Sequence, residues 1–245
     1  SLLLKIKDDN YEIPRKKEIS GLNEDSNYTY LFSFNNCSCF LVWDMPTEIS
    51  NGFEYKEINF FRTFKQKELT WISIVAFQLK NWYLQNKFCG KCGAETKLKS
   101  DERAIICPVC NTIVFPKISP AIIVAIICNN KILLANNSNF PENWYSLIAG
   151  YTDIGESLEE CVAREVKEEV GLDVTNIRYY KSQPWPFSGS LMIGFIAEAD
   201  ENQPVCVDNK EIHDAAWFIR GNLPNHPTNV SIAGEIIDKF ENGDL

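Results

Sequence analysis

The sequence predicts an α/β protein in which an α/β/α sandwich with a mixed sheet follows a cysteine-rich segment and an N-terminal α+β domain. Three observations carry this prediction: an unbroken apolar run at 121–127, an amphipathic helical pattern that begins after residue 157, and two Cys-x-x-Cys pairs near the middle of the chain. These features divide the chain into segments 1–86, 87–115 and 116–245.

The N-terminal segment contains strand-like runs and one long helical pattern. Strands are expected at Tyr28 to Phe34 and at Cys39 to Trp43, and a helix is expected from Glu68 to Leu84. The helical spacing gives four core candidates, Trp71, Ile74, Phe77 and Leu79. No motif in this segment indicates a function.

The middle segment carries the cysteine pairs CGKC and CPVC, separated by 14 residues. Two such pairs can turn four thiolates toward one point, which suits tetrahedral zinc bound by Cys89, Cys92, Cys107 and Cys110. Disulfides are the alternative. The odd total of nine cysteines and the lack of a secretory leader favour zinc. Four thiolate ligands leave no open position for water, so the zinc is expected to be structural.

The third segment begins with the run AIIVAII at 121–127, which is apolar enough for a central strand buried on both faces. KILLA, at 131–135, is its expected hairpin partner across Asn129 and Asn130. A closing helix is expected from Ser231 to Phe240. With the helix that follows residue 157, it would cover the two faces of the sheet.

The helix after residue 157 has clear start and packing signals. Ser157 can cap its first turn, and Glu160 three residues later completes a capping box. Val162, Val166 and Val170 recur at steps of four residues and form the apolar stripe that packs on the core.

Acidic residues crowd one face of this helix. Glu165, Glu168 and Glu169 stand at spacings that share a face, and such carboxylates repel one another unless a positive group lies between them. Mg²⁺ or Mn²⁺ fits this need because hard cations take carboxylate oxygens. Arg164 can hold one carboxylate by a bidentate pair. A solvated acidic helix face is the alternative.

The frame around these acids resembles the box of the Nudix hydrolase family, G-x5-E-x7-R-E-U-x-E-E-x-G-U, where U is aliphatic. Every fixed position is filled, by Gly150, Glu156, Arg164, Glu165, Val166, Glu168, Glu169, Gly171 and Leu172. The resemblance implies hydrolysis of a nucleoside diphosphate linked to another group. The precise substrate is not given by the box.

A second motif follows the box. The run SQPWPFSGS, Ser182 to Ser190, is expected to form a stiff loop that shapes a pocket wall, or alternatively a Pro-rich turn that buries Trp185. It resembles SQPWPFPxS of the NADH pyrophosphatase branch, with Ser188 in place of Pro. That branch also carries a zinc ribbon just before its catalytic domain. The implied substrate contacts are Gln183, Pro184, Trp185, Pro186, Phe187, Ser188, Gly189 and Ser190.

The resemblance extends to residues outside both motifs. Phe115 and Tyr151 match aromatics that would enclose an adenine ring, with simple core packing as the alternative. Glu211 and the Ala149 carbonyl would join Glu165 and Glu169 around Mg²⁺ or Mn²⁺, and Ala233 would offer a backbone contact to substrate.

These residues imply a mechanism. Glu168 would orient the attacking water or take its proton, and Arg164 would position its neighbouring carboxylates. Attack on the phosphorus of the adenosine half would give AMP and a nicotinamide mononucleotide. The substrates implied are NADH, NAD and the NAD cap of RNA. ADP-ribose, a dinucleoside polyphosphate, or a non-catalytic regulator that binds nucleic acid remain alternatives.

Composition excludes several other classes. A net charge of −9 disfavours a general nucleic-acid coat, because phosphate backbones attract clustered Lys and Arg. No apolar run reaches the roughly 20 residues of a membrane span, so no membrane association and a cytoplasmic location are expected. The family resemblance implies a homodimer.

Overall fold

The computed structural model describes residues 2–7, 10–22, 27–44, 51–62, 64–207 and 209–245. The chain divides into two compact units, Ser1–Lys117 and Ile118–Leu245. Each unit has its own buried clusters.

The first unit combines small antiparallel sheets with one long helix. Its elements are β1 (Leu2–Lys7), β2 (Asn10–Glu12), β3 (Tyr28–Phe34), β4 (Cys37–Val42), β5 (Phe53–Lys56), α1 (Lys67–Gln85), β6 (Lys97–Leu98), β7 (Ile105–Ile106) and β8 (Ile113–Val114). Strands β2, β1 and β5 form one sheet, β3 pairs with β4, and β6, β7 and β8 form a third. The predicted strands and helix of this segment are therefore present, with ends shifted by one or two residues.

The buried face of α1 differs from the predicted one. Leu79 is buried as expected, but Trp71 is exposed and lies with its ring edge against Phe32 of β3. The helix instead buries Leu69 and Trp82, with Trp82 in a cluster around Leu31 of β3. The choice of Trp71 was wrong because periodicity gives the spacing of an apolar face but not which neighbour covers it.

The second unit contains one large sheet and two helices. Its elements are β9 (Ser119–Cys128), β10 (Lys131–Asn137), β11 (Ile148–Tyr151), α2 (Leu158–Val170), β12 (Thr175–Trp185), β13 (Ser190–Glu198), β14 (Ile212–Ile219) and α3 (Ile232–Asn242). The strand order is β12-β13-β9-β10-β14, and β11 also pairs with β9. Only the β13–β9 pair is parallel among these, so the sheet is mixed.

The central strand β9 explains why helices cover both faces. Ile122, Val124 and Ile126 belong to the cluster that contains Val162 and Val166 of α2. Alternate residues of β9 join the other cluster, which contains the buried side chains of α3. Successive strand residues point to opposite faces, so an unbroken apolar strand requires cover on both sides. The α/β/α sandwich predicted from the sequence is confirmed.

The expected stiff loop over 182–190 is wrong in its first half. Ser182 to Trp185 complete β12, and the reversal occurs only over 186–189, where Gly189 has φ 71° and its N–H donates to the Pro186 carbonyl. Pro184 is tolerated within the strand because β12 is the edge strand of the sheet, where a missing N–H need not break a ladder.

Among the described residues, no helix combines the length and the apolar character that crossing a membrane requires.

Candidate functional site

Helix α2 begins where the sequence predicts. Ser157 accepts a hydrogen bond from the backbone of Glu160, and the Glu160 carboxylate accepts one from the backbone of Ser157. Gly171 ends the helix in the left-handed region with φ 76°. Because both ends of the helix are fixed by caps, the positions of the charged residues between them are fixed as well.

Arg164 connects this helix to the loop that precedes it. Its Nε and Nη2 atoms donate to the two carboxylate oxygens of Glu156 at 2.7 and 2.9 Å, and Nη2 also donates to the Tyr151 carbonyl at 3.0 Å. On the helix itself, Nη1 donates to Glu165 at 2.8 Å and to Glu168 at 3.1 Å. One guanidinium therefore orients three box carboxylates.

The carboxylates around Arg164 have opposite pKa shifts. Hydrogen bonds from Arg164 and from the Asp153 backbone lower the pKa of Glu156 to about 2. Burial raises the pKa of Glu165; Arg164 acts in the opposite direction, and the charges of Glu168 and Glu211 add to the increase. Glu165 is thus a partly desolvated acid near other acids, and a cation would stabilise its charged form.

Gly150 is the residue that allows Glu165 to lie where it does. A Cβ atom at Gly150 would come within 2.0 Å of the Glu165 Cδ atom and 2.1 Å of its Oε1 atom. Any side chain at this position would push the carboxylate away from the strand. The first fixed residue of the box therefore acts through this close approach of β11 and α2.

An open cleft of about 320 Å³ lies beside this cluster. Tyr151, Thr152, Asp153, Arg164 and Glu168 line it. The Tyr151 side chain is 54% exposed, so its ring is accessible to a ligand. A flat aromatic wall next to charged groups can accept a base on one side and phosphates on the other.

The remaining predicted metal ligands differ in their exposure to solvent. Glu169 is buried on α2, Glu211 lies exposed just before β14, and Ala149 lies on β11 next to Gly150. Over the described residues, these carboxylates are not drawn together as closely as the four cysteine sulfurs are. All the potential ligands are oxygen atoms, which fit a hard divalent cation.

The residues of the second motif have distinct surroundings. The Gln183 amide is held by the segment before α3: its Nε2 donates to the Val230 carbonyl at 3.0 Å, and its Oε1 accepts from the Ile232 N–H at 2.7 Å. Trp185 and Phe187 are in edge contact with ring centroids 5.0 Å apart. Pro186 is buried, whereas Ser188 is exposed at the turn.

Ser190, at the start of β13, is almost completely buried at 2% exposure. Its hydroxyl lies 2.8 Å from that of Ser188 and 3.1 Å from that of Tyr151. The second motif therefore contacts the wall of the cleft directly. Ala233 is buried in the first turn of α3, and Phe115 belongs to the first unit and is half exposed, so its pairing with Tyr151 stays a prediction.

The four predicted zinc ligands come together in the first unit. The sulfurs of Cys89 and Cys110 are 3.6 Å apart, those of Cys92 and Cys107 are 3.4 Å apart, and all four lie within 4.8 Å of one another. Tetrahedral bonds of about 2.3 Å place thiolates roughly 3.8 Å apart, so the cluster has the size of a zinc site. Hydrogen bonds from the Thr112 side chain and backbone lower the pKa of Cys110 to about 6, which favours a thiolate.

Three features of this site are not predicted from the sequence: the partner of Glu156, the place of Thr152 and Asp153 in the cleft, and the contact between Ser190 and Tyr151. The eight-residue interval between Glu156 and Arg164 is visible in the sequence. It does not reveal their contact, because part of the interval is a loop and its length does not define the distance between the two side chains. The other two depend on how neighbouring strands pair.

Comparison with protein families agrees with this geometry. Residues 117–240 match the NUDIX domain, and residues 85–115 match the NADH pyrophosphatase zinc ribbon domain. The two matches follow one another along the chain in the order that the motifs predict.

Curated relatives share a large part of the chain. A protein named NAD-capped RNA hydrolase NudC from Stutzerimonas stutzeri is 39% identical over 197 residues, covering 80% of this chain and 71% of the relative. A protein of the same name from Chromobacterium violaceum is 42% identical over 217 residues, covering 89% and 77%. The corresponding protein of Pseudomonas aeruginosa strain LESB58 is 42% identical, and the match covers 67% of this chain but 59% of that relative.

The fold also matches a solved structure. The crystal structure of a NUDIX hydrolase from Nitrosomonas europaea aligns with a TM-score of 0.53 and 23% identity, covering 64% of this chain and 90% of that protein. At this identity the likeness supports the fold alone.

The Arg164–Glu156 pair predicts a specific acid dependence of stability. The pKa of Glu156 is lower in the folded protein than the roughly 4.3 of an unfolded glutamate. Its contribution to the stability of the folded protein is therefore complete above the unfolded pKa and is lost as pH falls toward about 2. Glu156→Gln should reduce the melting temperature at neutral pH and flatten its decline between about pH 5 and pH 2.

Circular dichroism melting curves across this range measure the effect. Glu159→Gln is the matched control, because Glu159 is an exposed glutamate in the first turn of the same helix. An acid decline in Glu156→Gln as steep as that of the unmodified protein would rule out this ion pair as a stabilising contact.

Proposed function

Since the chain belongs to the Nudix hydrolase family, we propose that it cleaves the pyrophosphate bond of NADH or NAD to give AMP and a nicotinamide mononucleotide. The observation that carries the proposal is the set of box carboxylates oriented by Arg164 beside an open cleft with an aromatic wall. The zinc ribbon match and the SQPWPFSGS motif favour this branch of the family.

The proposed metal ligands are Glu165, Glu169, Glu211 and the carbonyl of Ala149. A bound Mg²⁺ or Mn²⁺ would neutralise the pyrophosphate oxygens, which otherwise repel an incoming nucleophile. Support comes from the position of Glu165, because its largely buried carboxylate lies near the charges of Glu168 and Glu211 and a positive charge in addition to Arg164 would stabilise it.

The chain's own residues would perform the other steps. Glu168, which lines the cleft and keeps one hydrogen bond to Arg164, would orient the attacking water or take its proton. Arg164 would keep Glu165 and Glu168 in fixed directions, which reduces the reorganisation needed during the reaction. Tyr151 would stack on the adenine ring, with Phe115 as the proposed second face and the Ala233 backbone as a further contact.

The names of two relatives point to a longer substrate for the same cleft. The relatives from Stutzerimonas stutzeri and Chromobacterium violaceum are named NAD-capped RNA hydrolase NudC. We therefore extend the proposal to the NAD cap at an RNA 5′ end. The division into 1–86, 87–115 and 116–245, the homodimer and the cytoplasmic location belong to the same proposal.

We further propose that Cys89, Cys92, Cys107 and Cys110 hold a structural zinc ion. The sulfur separations support this, since all four thiols lie within reach of one tetrahedral ion.

The activity is tested by incubating the protein with Mn²⁺ and NADH, NAD, ADP-ribose or NAD-capped RNA, and comparing kcat/KM from chromatographic product analysis. NADH or NAD should be cleaved to AMP and the mononucleotide. Glu169→Gln should reduce kcat/KM at least about 100-fold, because it removes a charged metal ligand while keeping the side-chain size.

Glu159→Gln, on the exposed side of the same helix, is the control and should retain normal turnover. Wild-type turnover by Glu169→Gln would refute the proposed metal site. A strong preference for ADP-ribose would indicate another Nudix specificity, and no turnover of any substrate would favour a regulator.

The zinc proposal has a separate test. Elemental analysis of the purified protein should find about one zinc per chain. Cys92→Ser should lose most of this zinc and lower the melting temperature, whereas Cys206→Ser, which changes an exposed cysteine of the second unit, should retain it. Unmodified protein without zinc, or Cys92→Ser with a full complement, would contradict the assignment.

A further inference from the structure

Three hydroxyl groups connect the second motif to the cleft. The Ser188 Oγ lies 2.8 Å from the Ser190 Oγ, which lies 3.1 Å from the Tyr151 hydroxyl. A serine hydroxyl has one proton to donate and two lone pairs to accept, so Ser190 can bond to both neighbours at once. We call these three residues the hydroxyl relay.

The middle member of the relay is shielded from water. Ser190 is 2% exposed, whereas Tyr151 is 54% exposed and Ser188 lies at the surface of the turn. A buried hydroxyl depends on protein partners because water cannot replace them. The Ser190 hydroxyl therefore takes its orientation from Ser188 and Tyr151.

Strand pairing explains why these residues meet. Tyr151 ends β11 and Ser190 begins β13, and these strands flank β9 on opposite sides. In the register, Tyr151 pairs with Ala121 and Ser190 pairs with Ser119, so the tyrosine reaches diagonally across β9. The contact joins the turn of the second motif to the strand that opens the Nudix box.

The relay holds the Tyr151 side chain at its far end. At its near end, the Tyr151 carbonyl already accepts a hydrogen bond from Arg164. With its backbone and its phenol both hydrogen-bonded, Tyr151 loses less conformational freedom when a base stacks on its ring, and this preorganisation appears as tighter binding.

We propose that Ser188 is a positioning residue that sets the orientation of the Tyr151 ring through Ser190 and so determines how well the cleft binds the adenine of its substrate. This inference rests on the proposed function. At this position the related motif has Pro, whose side chain has no hydroxyl, so the third member of the relay is particular to a chain with Ser188.

Kinetics with NADH and Mn²⁺ provide the first test. Ser188→Ala should raise KM about 3- to 10-fold, the range of one neutral hydrogen bond, and leave kcat within about twofold. Ser188→Thr keeps the hydroxyl and should restore KM. Ser182→Ala, an exposed serine on the neighbouring strand β12, is the matched control.

A double-mutant cycle shows whether the residues act through one another. Tyr151→Phe removes the phenol but keeps the ring and should raise KM to a similar extent. The Ser188→Ala and Tyr151→Phe changes should then be non-additive, with the double variant close to either single variant. Additive effects, an unchanged KM in Ser188→Ala, or a loss confined to kcat would each overturn the proposal.

An NMR measurement tests the hydroxyl relay independently of enzymatic activity. In protein carrying ¹³C-labelled tyrosine, the ring signal assigned by Tyr151→Phe should shift or broaden in Ser188→Ala and remain unchanged in Ser182→Ala. An unaltered signal in Ser188→Ala overturns the relay even in an active enzyme. A protein that responds in this way but cleaves no dinucleotide retains the relay and loses the proposed function.

Discussion

The bidentate ion pair between Arg164 and Glu156 is the contact on which the rest of the site depends. It fastens the loop before α2 to the second turn of that helix, and the same guanidinium binds the Tyr151 carbonyl, Glu165 and Glu168. The caps at Ser157 and Gly171 set the position of Arg164, and Arg164 in turn fixes the positions of the carboxylates that it binds. Strand, loop and helix become one rigid unit around the cleft.

Close packing extends this constraint to the sheet. Gly150 lets the Glu165 carboxylate lie against β11, and Val162, Val166 and Val170 pack α2 on the core beside it. Packing against the sheet leaves the acids few alternative positions. An array of this kind is organised before a ligand arrives, which is the property that electrostatic catalysis requires.

Local signals in the sequence were sufficient for much of this fold. The N-terminal cap of α2, its valine stripe and the central strand β9 depend on neighbouring residues or short periods, and all are confirmed. The strand that contains Pro184 and the exposed side of Trp71 were not predictable in this way. Both depend on which element lies at an edge or covers a face, and that is decided by residues distant in the chain.

The site was predicted in its residue types more completely than in its contacts. The box spacing placed Arg164, Glu165 and Glu168 on one helix, and their shared hydrogen bonds follow from that. The hydrogen bonds of Gln183 to the start of α3, and those of Ser190 to Tyr151, join segments more than 35 residues apart. No local pattern encodes such contacts, because strand order and register create them.

The carboxylates of Glu165 and Glu169 are proposed to form a site for divalent cations. The most direct measurement is a crystal soaked in Mn²⁺, with anomalous diffraction data collected at the manganese edge. Such a crystal should show an anomalous peak within about 2.3 Å of oxygens from Glu165 and Glu169. A thoroughly soaked crystal with no manganese peak near either carboxylate, while Glu165 keeps its hydrogen bond to Arg164, would disprove the proposed metal site.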